Sequence, residues 1–122
     1  MLEYNIDLKG KTILVTGAAG FIGSNLVKRL LTDFDNIKVI GIDSITDYYD
    51  VNLKYERLTE IDSLSKDWTF LKGSIADKAL IGNIFTENKI DVVVNLAAQA
   101  GVRYSITNPG SYIESNLIGF YN

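Results

Sequence analysis

Three glycines fall at every third position between a β-branched run and an amphipathic stretch, in Thr16-Gly17-Ala18-Ala19-Gly20-Phe21-Ile22-Gly23. No other feature constrains the fold of this chain as strongly. Residues 12–16 (Thr-Ile-Leu-Val-Thr) read as a buried parallel strand. Phe21, Ile22, Leu26, Leu30 and Leu31 recur at helical spacing, which predicts a helix over 21–33. Gly17 can take a backbone dihedral that other residues resist as the chain leaves the strand. Gly20 carries no Cβ, so a pyrophosphate can approach the backbone, and Gly23 lets the helix pack closely on the strand. The unpaired N–H groups at the helix start then face the anion. No lysine follows Gly23, so this is not the ATP-binding loop that ends in Gly-Lys-Ser/Thr.

The rest of the chain repeats the alternation. Residues 37–42 read as a second strand closed by Asp43, and 44–50 as a polar, aromatic loop. Leu53, Leu58, Ile61 and Leu64 suggest a second helix, and 68–71 a third strand. Leu80, Ile81, Ile84 and Phe85 mark a third helix with Asp77 as its N-cap. Residues 91–96 form a fourth strand, and Pro109, the only proline, stands where a last helix begins. That helix is still running at Asn122, as expected of a piece of a longer protein. Strands alternating with helices imply right-handed crossovers and a parallel sheet. The expected fold is therefore α/β: one Rossmann-like, doubly wound domain over residues 1–122, incomplete at its C-terminus. The expected strand order is 3-2-1-4, with 91–96 at one edge.

Asp43 lies 20 residues after Gly23, where a carboxylate would grip the ribose of a dinucleotide. An Asp at a strand end is by itself usually a turn former. The strand, the glycines, the helix and the spacing together favour dinucleotide binding. A 2′-phosphate would meet the Asp43 carboxylate, so NAD is expected over NADP. Ala97-Ala98 follow the fourth strand, where small residues serve either close backbone approach to a cofactor or plain packing.

Composition removes several other classes. The net charge is −3 and no Lys/Arg cluster interrupts it, which argues against nucleic-acid binding. The chain has neither cysteine nor histidine, so it holds no disulfide framework, no Ser-His-Asp triad and no His-ligated zinc. No apolar run approaches the ~20 residues of a membrane span, and residues 1–11 lack the apolar core of a signal peptide. A soluble cytoplasmic protein is the expectation.

Thr-Gly-x-x-Gly-Phe-Ile-Gly, Asp43 after the second strand, and Asn95-Leu96-Ala97-Ala98 after the fourth resemble the extended short-chain dehydrogenase/reductase family. Two longer stretches, 41–54 (Gly-Ile-Asp-Ser-Ile-Thr-Asp-Tyr-Tyr-Asp-Val-Asn-Leu-Lys) and 97–105 (Ala-Ala-Gln-Ala-Gly-Val-Arg-Tyr-Ser), resemble the UDP-glucuronate 4-epimerases within it. Asn108-Pro109, Tyr112 and Asn116 extend the second resemblance, which covers the chain from about Lys11 onward.

The resemblance implies a nucleotide-sugar epimerase that holds NAD, oxidises the sugar C4 hydroxyl and returns the hydride to the opposite face. It assigns the cofactor to Gly17, Ala19, Gly20, Phe21, Ile22, Gly23, Asp43, Ser44, Ser74, Ile75, Leu96, Ala97, Ala98 and Gln99. It assigns Arg103, in a glycine-containing loop, to the UDP-sugar; read without it, Arg103 is a solvated surface residue. The Tyr48-Tyr49 pair reads as packing or loop structure rather than catalysis. The implied partners are a UDP-sugar and a second subunit, the last helix helping to form the dimer.

Two residues depart from the family pattern. Asn95 stands where histidine is common, and Ser74 follows Gly73 where an aspartate is usual, so adenine affinity is expected to be weaker. The family's catalytic base is a tyrosine followed four residues later by lysine, which takes the hydroxyl proton. None of the seven tyrosines here has that partner. The reading therefore leaves no catalytic residue in this chain. A 4,6-dehydratase or decarboxylase of the same family, and a dinucleotide-binding module without catalysis, stay open beside the epimerase.

Overall fold

The computed structural model describes residues 7–46, 50–64, 67–99 and 102–122. Tyr48 and Tyr49 lie outside them. The elements run β1 (Thr12–Thr16), α1 (Phe21–Asp33), β2 (Lys38–Asp43), α2 (Val51–Asp62), β3 (Trp68–Lys72), α3 (Lys78–Glu87) and β4 (Val92–Asn95). All three strand pairings are parallel, in the order β3-β2-β1-β4, as expected. Thr16 pairs with Ile42 on one side and Asn95 on the other, so three strands end level. That common end is where the site lies.

The central strands β1 and β2 are rich in β-branched residues and buried on both faces, as in a doubly wound sheet, while the edge strands β3 and β4 are only partly covered. Ile13, Val15 and Val39 join Val27 and Leu30 of α1 and Leu58 and Ile61 of α2 in one core cluster. Leu14, Ile40 and Ile42 point the other way, into a cluster with Ile81 and Ile84 of α3. Trp68 belongs to the first cluster, and a Cβ at Gly41 would lie 2.2 Å from its ring. Asp77 caps α3, its Oδ1 accepting from the Leu80 N–H at 3.1 Å.

Several expectations need correction. Phe21 and Ile22 belong to the apolar spacing of α1 but are 71% and 67% exposed. The buried face of α1 is formed by Gly23, Ser24, Val27 and Leu30, and Phe21 and Ile22 lie off it. Leu53 and Leu64 are also exposed, and α2 buries only Leu58 and Ile61. The second strand is shifted one residue later than read, and the fourth is shorter at both ends.

Arg103 sits on a short helix, α4 (Val102–Thr107), not in a loop. Six residues give too little periodicity to reveal such a helix; Asn108 N–H closes it on the Tyr104 carbonyl at 2.8 Å. Pro109 does start the last helical segment, through α5 (Pro109–Tyr112), a widened stretch Ile113–Ile118 and α6 (Gly119–Tyr121). The widening shows in the Gly119 N–H, which donates to the Glu114 carbonyl five residues back. No helix among the described residues is long and apolar enough to cross a membrane.

Candidate functional site

The glycine turn is built from backbone contacts. Gly17 has φ +71°, the left-handed conformation that its missing Cβ permits. The N–H groups of Gly17 and Ala18 donate to the Ile42 carbonyl at 2.9 and 3.2 Å, tying the turn to β2. A Cβ on Gly17 would stand 2.9 Å from the Ala97 nitrogen and the Leu96 carbonyl carbon. A Cβ on Gly23 would stand 2.1 Å from the Gly17 carbonyl oxygen. The close packing that Gly23 permits is thus between helix and turn, at the end of the strand.

Gly20 differs from both. Its φ is −74°, and a Cβ there would meet only the Gly17 oxygen, at 3.2 Å, among the described residues. The space in front of it is open. Gly20 is also the N-cap of α1 and has no side chain with which to cap it. The first N–H groups of the helix are therefore left to an outside acceptor, and an anion suits them.

Asp43 is a buried hub. Its Oδ2 accepts from the Ala19 N–H at 3.0 Å, and its Oδ1 from the Ile45 N–H at 2.8 Å. The Lys54 ammonium donates to Oδ1 at 3.2 Å. The carboxylate thus binds the glycine turn to β2 and anchors α2 against both. Ile45 is held at φ +53°, a strained conformation for a β-branched residue. The Asp43 acceptor and burial in the first core cluster hold it there. One turn beyond Lys54, Arg57 donates to the Ala19 carbonyl at 3.1 Å and lies over the Phe21 ring, 6.0 Å from its centroid.

The third wall is the end of β4. The Thr16 hydroxyl accepts from the Leu96 and Ala97 N–H groups, each at 3.0 Å, and donates to the Asn95 side-chain oxygen. Asn95 thereby makes a structural hydrogen bond at the position where histidine is common in the resembled family. Gln99 and Asn116 are joined twice: the Gln99 N–H donates to Asn116 Oδ1 at 2.8 Å, and Asn116 Nδ2 donates to the Gln99 carbonyl at 3.2 Å. The last helical segment reaches the far wall as well. Asn122 Nδ2 donates to the carbonyls of Ile75 and Ala76 at 3.1 and 3.0 Å, and Gly119 packs on Ile75.

These walls enclose a cleft of about 340 Å³, at the low end of ligand-sized cavities. Of the residues expected to hold a cofactor, Gly17, Gly20, Phe21, Asp43, Ser44, Ser74, Ile75, Leu96, Ala97, Ala98 and Gln99 line it. Ala19, Ile22 and Gly23 do not; Ala19 contributes its backbone to Asp43 and Arg57 from behind. Arg103 is exposed on α4 and outside the lining. The Ala97 backbone packs against Gly17, and Ala97 and Ala98 both line the cleft.

Sequence reasoning missed Lys54, Arg57, Thr46, Leu53 and Ser115, which also line the cleft. Helical spacing puts three of them together but does not say what they face. Leu53, Lys54 and Arg57 fall three and four residues apart after the Asp50 N-cap, and so share one face of α2.

Comparison with known proteins gives the family and the fold. Residues 14–122 match the family described as GDP-mannose 4,6 dehydratase. The chain is 51% identical over 110 residues to protein CapI of Staphylococcus aureus, covering 90% of this chain and 32% of that protein. It is 43% identical over 114 residues to UDP-glucuronate 4-epimerase 2 of Arabidopsis thaliana, covering 93% and 25%. The crystal structure of UDP-glucuronic acid 4-epimerase from Bacillus cereus, in complex with UDP-glucuronic acid and NAD, superposes with a TM-score of 0.76 at 34% identity. That match covers 88% of this chain and 33% of the epimerase. The chain thus spans a third or less of the length of these relatives. It belongs to the GDP-mannose 4,6-dehydratase family, within the extended short-chain dehydrogenase/reductases that its motifs resemble.

Proposed function

We propose that this chain binds NAD in the cleft and is the cofactor-binding part of a nucleotide-sugar 4-epimerase, with UDP-glucuronate as the sugar nucleotide. One observation carries the reading: an uncapped helix start, an open Gly20 and the Asp43 carboxylate meet at one strand end. The residues fit the cofactor. The first N–H groups of α1 and the open face of Gly20 suit a pyrophosphate. Asp43 accepts hydrogen bonds from ribose hydroxyls, Ser74 and Ile75 border the adenine, and Ala97 to Gln99 line the opposite side. When bound, NAD supplies a two-electron acceptor for the sugar C4 carbon.

The residues of this chain bind and orient; they do not move the substrate proton. Proton removal needs a tuned base within about 3 Å of the hydroxyl. No tyrosine here has a lysine four residues on, and histidine is absent. The chain alone is therefore without epimerase turnover, and the whole protein acts as a homodimer on a UDP-sugar. The similarity to UDP-glucuronate 4-epimerases at 43% identity supports this substrate over the dehydratase alternative.

Titrating the chain with NAD while following the fluorescence of Trp68, the single tryptophan, tests the binding. Saturable binding is expected, and its absence at millimolar NAD would sink the reading. Incubation with NAD and UDP-glucuronate should give no galacturonate epimer; turnover at an ordinary enzymatic rate would refute the assignment of chemistry to residues outside this chain.

A further inference from the structure

We propose that Lys54 decides whether this cleft discriminates against a 2′-phosphorylated dinucleotide. The inference rests on the NAD reading and deepens it. A lone carboxylate at the ribose would repel a 2′-phosphate by its charge. In this structure the carboxylate is not alone. The Asp43 and Lys54 side chains are 6% and 11% exposed and form an ion pair at 3.2 Å. Both line the cleft, and so does Arg57, one turn along the same helix. That wall therefore carries two cations against one anion, and its net charge attracts a phosphate rather than repelling it.

Rejection of the 2′-phosphate then rests on hydrogen bonding. Asp43 can only accept, a ribose hydroxyl can donate to it, and a phosphate dianion cannot. With three protein donors already on the carboxylate, roughly one of its four acceptor positions remains for the sugar. Lys54 has three N–H groups, and its Asp43 contact uses one. It is the cation nearest the Asp43 carboxylate, and the charge of Asp43 holds it there most strongly. Removing the Asp43 charge releases Lys54 to a phosphate. Removing the Lys54 charge leaves the carboxylate without its ion-pair partner, and Arg57 as the wall's one remaining cation among the described residues, and makes rejection stricter.

The probes are 5′-AMP and adenosine 2′,5′-bisphosphate, titrated calorimetrically into the 122-residue chain. The readout is the ratio of their dissociation constants, which cancels losses common to both ligands. Lys54→Met should raise discrimination against the bisphosphate by about tenfold or more, and Asp43→Asn should lower it by a similar factor. The double variant should lose the gain seen in Asp43→Asn. Lys54→Arg keeps the charge and should stay near the native ratio, so it serves if the neutral variant unfolds. A ratio unchanged within about threefold in Lys54→Met, with 5′-AMP still bound or both ligands weakened alike, would reduce Lys54 to a tether for α2 and overturn the proposal. A native chain that binds neither 5′-AMP nor NAD would instead overturn the NAD reading itself, and the proposal with it.

Discussion

Substituting alanine at each of the three glycines should separate folding from binding. At Gly23 the new Cβ would sit 2.1 Å from the Gly17 carbonyl oxygen and 2.9 Å from its carbon. Ordinary contact is about 3.5 Å or more, and the opposing atoms are backbone that cannot rotate away. The start of α1 must lift off the turn, which should cost ~3 kcal/mol or more, the upper range for overpacking. At Gly17 a Cβ meets the Ala97 nitrogen at 2.9 Å, and φ +71° adds its own strain. A left-handed residue costs roughly 1–2 kcal/mol and the overlap about 1–3 more, so ~2–5 kcal/mol is expected. At Gly20 the backbone is already compatible with alanine and the single contact is 3.2 Å. Stability there should change by less than about 1 kcal/mol, with a small gain possible from restricting the unfolded chain. The same methyl enters the open space proposed for a pyrophosphate, so Gly20→Ala should lose most NAD affinity in a folded protein. Urea unfolding followed by Trp68 fluorescence gives the stabilities, and NAD titration gives the affinities. A Gly23→Ala chain that unfolds at the native urea midpoint would refute the packing argument. A Gly20→Ala chain with native NAD affinity would refute the binding one.

The other predictions concern the remaining walls. Thr16→Val removes the acceptor for the Ala97 N–H, and should cost ~1–3 kcal/mol by stranding that donor; Thr16→Ser should recover most of it in the same urea assay. Asn116→Ala breaks both hydrogen bonds to Gln99. It should lower stability by ~1–2 kcal/mol and speed amide exchange across 109–122, while exchange in β1 and β2 stays native. Ile113, Leu117 and Phe120 leave an exposed apolar face on the last segment, so sedimentation should show concentration-dependent self-association that Leu117→Glu removes.

What the sequence disclosed follows the range of each signal. The turn from β1 into α1 was legible because strand, glycines and helix lie within some twenty consecutive residues, each with a local physical reason. Asp43 was legible because the crossover helix fixes its distance from Gly23. The Lys54 and Arg57 contacts join residues 11 and 38 positions apart. Nothing in the local pattern of α2 says that its polar face turns inward to the turn of another βα unit. Leu53 misled for the same reason, since an apolar residue facing a cleft has the same spacing as one facing a core. Asn116 was noticed as part of a resemblance, yet its link to the Gln99 backbone joins residues 17 positions apart. Asn116 lies in the widened turns at Ile113–Ile118, for which side-chain periodicity gives no sign.

The three walls of the cleft differ in how firmly they are held, and this bears on how binding is built. The glycine turn is fixed by backbone hydrogen bonds to β2 and by the buried Asp43. These bonds continue the central strand pair into the turn and centre on a buried carboxylate, so this wall is held against the sheet. The Leu96–Ala97 wall is fixed nearly as well, because Thr16 belongs to β1 and reaches across to it. The walls at Gln99 and Ile75 instead depend on the last helical segment, through Asn116, Gly119 and Asn122. Those contacts are few; the two at Gln99 are exposed and the two from Asn122 only part-buried, and exposed hydrogen bonds open at lower free energy than buried ones. On the proposed NAD reading, phosphate and ribose binding would draw on the rigid part of the molecule. Adenine and the far side of the cleft would meet the part whose docking is weakest, and whose apolar face still has surface left to bury.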